Sequence, residues 1–192
     1  MLPTPSLHAR NRLAEIVIAA LHDADARREI AALAADVRCD SGDADTLRAR
    51  ARAAERALAD VPLARAGTTL ESALVDAAAL FAAGLYFEVH EVLEAVWQDA
   101  GSGRLGAAPA EAREPLQGLI QIAVGYQHLA NGNVRGARAL LADGAARVSG
   151  RVLAGRRLDG FAAGVRASLD TIEDLDDASV PEFPPATGKE TS

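Results

Sequence analysis

The sequence predicts an all-α protein, a helical bundle built from antiparallel helix hairpins and preceded by an N-terminal helical arm. Three observations carry that prediction. Apolar residues make up 49% of the 192-residue chain while aromatics make up only 4%, an alanine-rich balance that suits closely packed helices better than a β-sandwich. Around His90 and again around Gln121, apolar residues recur at helical spacing. The punctuation is also helical, with Thr69 ahead of one apolar run, Gly84 between two more, and Asn131-Gly132-Asn133 between another pair.

The arm, residues 1–66, holds ten acidic and ten basic side chains, so the whole net charge of −7 comes from the remainder. Its first 66 residues contain no aromatic, the first being Phe81, so it must pack through Leu, Ile, Val and Ala. Two or three helices are predicted there. One runs from Leu7 to Leu21 with continuation toward Val37; another runs from Asp43 to Ala59, capped by Asp43 or Asp45 after Ser41-Gly42. Pro62 and Gly67 mark a linker.

Residues 67–176 are predicted to form five helices. Thr69 caps Leu70–Ala83, Gly84 ends it, and Tyr86–Asp99 follows at once as the second arm of a hairpin. A loop from Gly101 to Ala108 leads to Pro109, a natural first-turn residue for a helix reaching Ala130, with Pro115 bending its start. After the Asn-Gly-Asn turn come Val134–Val148, a Gly/Arg-rich link, and a last helix over Arg157–Leu175. Residues 177–192, acidic and then Pro-rich, are expected to be disordered.

The composition also excludes functions. The acidic balance disfavours nucleic-acid binding, which needs clustered cations. The Arg-rich group Arg135, Arg138, Arg147, Arg151, Arg156 and Arg157 is read as a solvated face that pairs with the acidic C-terminal segment. A single cysteine, Cys39, rules out an intramolecular disulfide and a Cys-rich zinc site, and reads as a loop or core thiol. No apolar run approaches 18 residues and no leader segment opens the chain, so a cytoplasmic protein with no membrane partner is expected. Partners are not legible, and a homo-oligomer stays open. His8 reads as incidental, and His22-Asp23-Ala24-Asp25 as an exposed helix-end charge group.

The candidate site centres on the helix of Tyr86–Asp99. His90, Glu94 and Trp97 stand at i, i+4 and i+7, within an arc of about 60°, and Tyr86, Val89 and Leu93 share that side. Glu88 faces the other way and is expected to be a solvated charge. In the helix ending at Ala130, Gln117, Gln121 and His128 form a polar stripe about 40° wide on an otherwise apolar surface. Such a stripe needs a polar neighbour, so it is set against His90 and Glu94. Gly118 and Gly125 allow another backbone to come close.

Two readings of this pocket stay open. In one, Glu94, His90 and the Gln amides form a buried hydrogen-bond network inside a non-catalytic interaction or structural module, with Trp97 and Tyr86 packed around it. In the other, His90, Glu94 and His128 are ligands of a divalent metal, zinc first among candidates. His90-Glu91-Val92-Leu93-Glu94 then has the spacing of the His-Glu-x-x-His zinc helix with Glu in place of its second His. Glu91 would be the general base of a metal-dependent hydrolase. A di-iron centre fits less well, because paired Glu-x-x-His motifs are missing.

The stretch from Leu74 to Ile172 resembles the domain-of-unknown-function 309 family. The likeness rests on Gly84-Leu-Tyr-Phe-Glu-Val-His-Glu-Val-Leu-Glu-Ala-Val-Trp97, on Gln117-Gly-Leu-Ile-Gln121, and on His128-Leu-Ala-Asn-Gly-Asn133 followed by Gly136-Ala137. The family's motif of a His, a carboxylate four residues on and an aromatic three further maps onto His90, Glu94 and Trp97. The resemblance implies a small all-α bundle and a motif for which metal binding has been proposed. It supplies no reaction, and it leaves the arm unexplained.

Overall fold

The computed structural model describes residues 1–35, 43–63 and 69–186. Cys39, Ser41-Gly42, Gly67 and the last six residues of the chain lie outside the described residues, and with them the readings of a loop thiol, of Ser41-Gly42 ahead of the third helix and of the linker glycine.

Three helices form the arm: α1 (Leu7–Ala20), α2 (Ala24–Ala35) and α3 (Ala44–Leu58). The first helix ends at its shorter predicted limit, Leu21, and does not continue toward Val37, because the Asp23 carboxylate accepts from the amides of Asp25 (2.6 Å) and Ala26 (3.2 Å). Those are the free donors at the start of α2, so Asp23 is a cap and His22 beside it is exposed. Asp43, expected to cap α3, instead accepts from the backbone N–H of Ser6 at 3.0 Å. Hydrogen bonding from Ser6, first from its side chain and then from that N–H, holds the Asp43 carboxyl below the usual carboxylate range. Leu13, Val17, Leu21, Ile30 and Leu58 close the arm's share of the core.

Five helices follow: α4 (Leu70–Ala82), α5 (Tyr86–Asp99), α6 (Arg113–Ala130), α7 (Val134–Val148) and α8 (Asp159–Asp170). The protein is thus all-α, a helical bundle with very little strand. Thr69 and Ser72 form a reciprocal capping box at the start of α4. Gly84, at φ +72°, supplies the left-handed residue that lets α5 fold back after three residues. Pro109 precedes a 3₁₀ turn (Ala110–Ala112), so α6 begins at Arg113 and not at the proline. Pro115 falls in its first turn, where a missing N–H is no loss.

The α6–α7 pair is the closest in the bundle, and small residues cause it. A Cβ on Gly118 would lie 2.6 Å from Val148 Cγ1, and one on Gly144 would lie 2.8 Å from the Gly118 carbonyl oxygen. Gly125 likewise makes room for Leu141. The two backbones touch where any side chain would separate them.

Two features depart from expectation at the C-terminal end. The Gly/Arg-rich link contains a small antiparallel hairpin, β1 (Val152–Leu153) with β2 (Arg156–Arg157), and α8 is shorter than predicted at both ends. Ala154 and Gly155, at φ 45° and 73°, supply its two left-handed turn residues. Arg156 is only 3% exposed and reaches Glu71 on α4 at 3.0 Å, so it is no part of a solvated basic face. Arg138 does approach the acidic segment, 3.8 Å from Glu173.

Residues 177–186, expected to be disordered, instead return to the bundle. Asp177–Ser179 form a 3₁₀ turn, Pro184 is buried, and the Phe183 ring lies 5.5 Å from Phe81 and 5.8 Å from Phe161. Two apolar side chains in an acidic, Pro-rich stretch suffice to dock it. No helix among the described residues is long and apolar enough to cross a membrane.

Candidate functional site

Helix α5 is held on three sides. Tyr86, Val89, Leu93 and Val96 are buried, and α4, α6 and α1 of the arm pack against it. His90 therefore emerges at the seam between buried and exposed surface, with a side chain 23% exposed. Its Nε2 lies 2.9 Å from Glu94 Oε2, one turn on, and its Nδ1 lies 3.1 Å from Glu91 Oε1. Glu94 Oε1 also accepts from Gln98 at 3.2 Å. The Nδ1 contact lacks hydrogen-bond alignment, leaving that nitrogen buried without a partner among the described residues. A neutral imidazole carries one N–H and can donate to only one of two flanking carboxylates.

Donor atoms of His90, Glu91 and Glu94 all lie within 4.8 Å of one another, which makes this trio able to hold a cation. His128, the expected third ligand, is not in the group. Its neighbour explains why. Asn133 caps α7, its Oδ1 accepting from Gly136 N–H at 3.0 Å, and this turns its Nδ2 toward His128 Nδ1 at 2.8 Å. An amide nitrogen only donates, so Nδ1 accepts and the proton of a neutral His128 sits on Nε2. The nitrogen that a metal would need is thus a donor. Glu91, cast as the base, stands instead among the possible ligands.

His90 and His128 do share a pocket of about 260 Å³. Phe87 and His90 of α5 form one wall, Gln127 and His128 of α6 another, and Thr4 and Arg10 of the arm a third. Gln117 and Gln121 are half-buried and do not line it. Gln121 Oε1 and Trp97 Nε1 are buried without hydrogen-bond partners among the described residues. The Trp97 ring is covered by the Arg113 guanidinium, 4.2 Å from its centroid, and also lies outside the pocket lining.

Tyr86 points elsewhere. It joins Phe81 (5.1 Å) and Tyr126 (5.5 Å) in an aromatic cluster, and it lines a separate cavity of about 460 Å³ with Leu2, Asp177 and Phe183. Burial, and then the charge of Asp177, push its phenol up from the ordinary value. Burial likewise pushes Tyr126 up, to about 12, against the hydrogen bond it shares with Ser168 at 3.0 Å.

Sequence reasoning misjudged Glu88 and missed Arg50. Both are 0% exposed, and the Arg50 guanidinium reaches Glu88 Oε2 at 2.5 Å. The same arginine donates to the carbonyls of Leu2 (3.0 Å) and Pro3 (3.3 Å), while Gln127 Nε2 donates to Leu2 O at 3.2 Å. The face of α5 opposite the core meets the arm, not water. Desolvation pushes the Glu88 carboxyl up, and the nearby guanidinium pulls it part of the way back. On a helix wheel Arg50 is one of four arginines in α3, and nothing local distinguishes it.

Comparison with known proteins agrees with the family resemblance over part of its extent. Residues 74–140 match the model of a domain of unknown function (DUF309). That segment holds most of α4, all of α5 and α6 and the start of α7, and therefore the His90 cluster, but neither the arm nor the stretch on to Ile172. No curated protein and no solved structure matches the chain.

Proposed function

With residues 74–140 matching the DUF309 family model, we propose that the His90–Glu91–Glu94 cluster of that segment is a divalent-cation site. One observation carries the reading: one donor atom each from an imidazole and two carboxylates of a single helix, all within 4.8 Å of one another. The donor set fits such an ion. Two carboxylates balance its double charge, one imidazole favours zinc or a neighbouring transition metal, and three protein ligands leave positions for small molecules. The unpartnered Nδ1 of His90 is a further sign of an unmet demand. When bound, the cation supplies Lewis-acid polarisation.

The proposal is cation binding and not hydrolysis. Glu91 is drawn into the ligand set, and the pocket lining itself contains no carboxylate to act as a general base. The remaining lining residues bind and orient: His128 offers an N–H, and Gln127 is held in place by Leu2.

Metal analysis of untagged protein, with calorimetric titration of Zn²⁺ into metal-free protein, tests the reading. One equivalent is expected in the parent and in His128→Ala, and none in His90→Ala or Glu94→Gln. Absence of stoichiometric metal, or the same metal content in His90→Ala, overturns it.

The second reading, a structural His/Glu pair in a non-catalytic interaction module, has one observation in its favour: His90 Nε2 and Glu94 Oε2 already lie 2.9 Å apart. On that reading the pair is a half-exposed i,i+4 contact, and His90→Ala lowers stability by less than about 1 kcal/mol with no metal lost.

A further inference from the structure

The pocket beside His90 has a chemical character of its own. Its lining contains a guanidinium, two imidazoles, two amides and a hydroxyl, and no carboxylate: Glu91 and Glu94 lie outside it. Arg10 is half-buried with its guanidinium carbon 4.3 Å from the centre of the Phe87 ring. Its Nε and one terminal nitrogen donate to Asn11 Oδ1 at 3.1 and 3.0 Å, and among the described residues no carboxylate pairs with it. A stacked arginine has its orientation fixed in advance and loses little freedom on meeting a ligand.

Across the pocket stands His128, and Asn133 has already decided what it offers. With Nδ1 accepting from the capping amide, a neutral His128 presents an Nε2–H donor. Thr4 is pinned at the mouth by its backbone N–H to Asn131 Oδ1, 2.8 Å. Every wall that bears a charge bears a positive one.

We infer that this pocket binds a small oxyanion, the phosphate or carboxylate group of a ligand, between Arg10 of the arm and His128 of α6. The guanidinium fork matches two oxygens of either group, and the imidazole N–H takes a third contact. The arm, which lies outside the family-matched segment, would then supply the specificity of a site whose other half is the family's domain. This does not depend on the cation reading, because Arg10 and His128, the two groups that would hold the anion, are not in the cation cluster; only His90 borders both sites.

Inorganic phosphate and acetate, titrated separately into metal-free full-length protein by calorimetry, test it. Saturable binding of at least one is expected, weakened about tenfold or more in Arg10→Gln, as loss of one charge-assisted contact implies. Arg10→Lys should fall between, keeping charge without the fork. Glu94→Gln should bind the anion like the parent while losing Zn²⁺, and Arg10→Gln should bind Zn²⁺ like the parent. Phosphate alone identifies a phosphoryl ligand, and acetate alone a carboxylate. Circular dichroism melts confirm that Arg10→Gln is folded. No saturable binding of either anion, equal binding by a folded Arg10→Gln, or binding that needs Zn²⁺ and vanishes in Glu94→Gln would overturn the inference.

Discussion

Replacing Glu88 by Leu removes the acceptor of a guanidinium that water cannot reach. Arg50 and Glu88 are both fully buried and meet at 2.5 Å, so the single change leaves a cation in the interior with only carbonyl oxygens and Gln127 for company. Breaking a buried pair in this way costs about 3–5 kcal/mol, a large share of the roughly 5–15 kcal/mol that holds a domain together. Arg50→Met should cost as much, since it strands a carboxylate and also releases the carbonyl of Pro3. The double variant should cost far less than the sum. The pair already leaves Arg50 Nε and Glu88 Oε1 without partners, so removing both charges removes two unmet demands. Leu2 O also keeps Gln127 as a donor. Urea unfolding of the parent, both singles and the double, extrapolated to water, gives the coupling directly. A coupling above about 2 kcal/mol is expected. Additive effects, or either single costing less than about 1 kcal/mol, would refute a buried, mutually dependent pair.

Other substitutions probe other parts of the molecule. Because the Glu88 carboxyl is raised by burial above its ordinary value of 4.5, the folded state holds that proton more tightly than the unfolded chain. Its contribution is therefore fully present below pH 4.5 and is lost as pH rises through the folded value; Glu88→Gln should lose that pH dependence, as urea midpoints across a pH series would report. Gly144→Ala should destabilise by about 1–3 kcal/mol despite the better helix former, because its Cβ meets the Gly118 carbonyl at 2.8 Å. Gly160→Ala, with nothing within 4 Å, should raise the melting temperature by the few degrees that about 0.5–1 kcal/mol gives. Phe183→Ala should cost about 2 kcal/mol through lost contact with Phe81 and Phe161, and should open residues 177–186 to proteases. Unchanged cleavage would count against a docked tail.

Much of the fold was legible because its signals are local. The limits of α5 and α7 follow from Gly84, Asn131-Gly132-Asn133 and the apolar period, and the structure places both helices where the residues predict them. The capping box at Thr69 and the close approach at Gly118 and Gly125 were legible for the same reason: each is a property of a few adjacent or same-face residues. His90 and Glu94 pair because they stand one turn apart, and no partner helix is needed for that.

What the sequence could not decide is which surfaces would meet. Glu88 looks solvated on its own helix and becomes buried only because the arm covers that face, bringing Arg50 from 38 residues away. His128 sits on the right side of α6, yet its tautomer is set by Asn133 in the next turn, which converts an expected ligand into a donor. Thr4 and Arg10 come to the pocket through contacts that span much of the chain. Helix period and caps act within a turn or two, so the chain states them outright. Charge pairing, desolvation and pocket chemistry act through space, and only the packing of the arm on the bundle brings those charges within reach of one another.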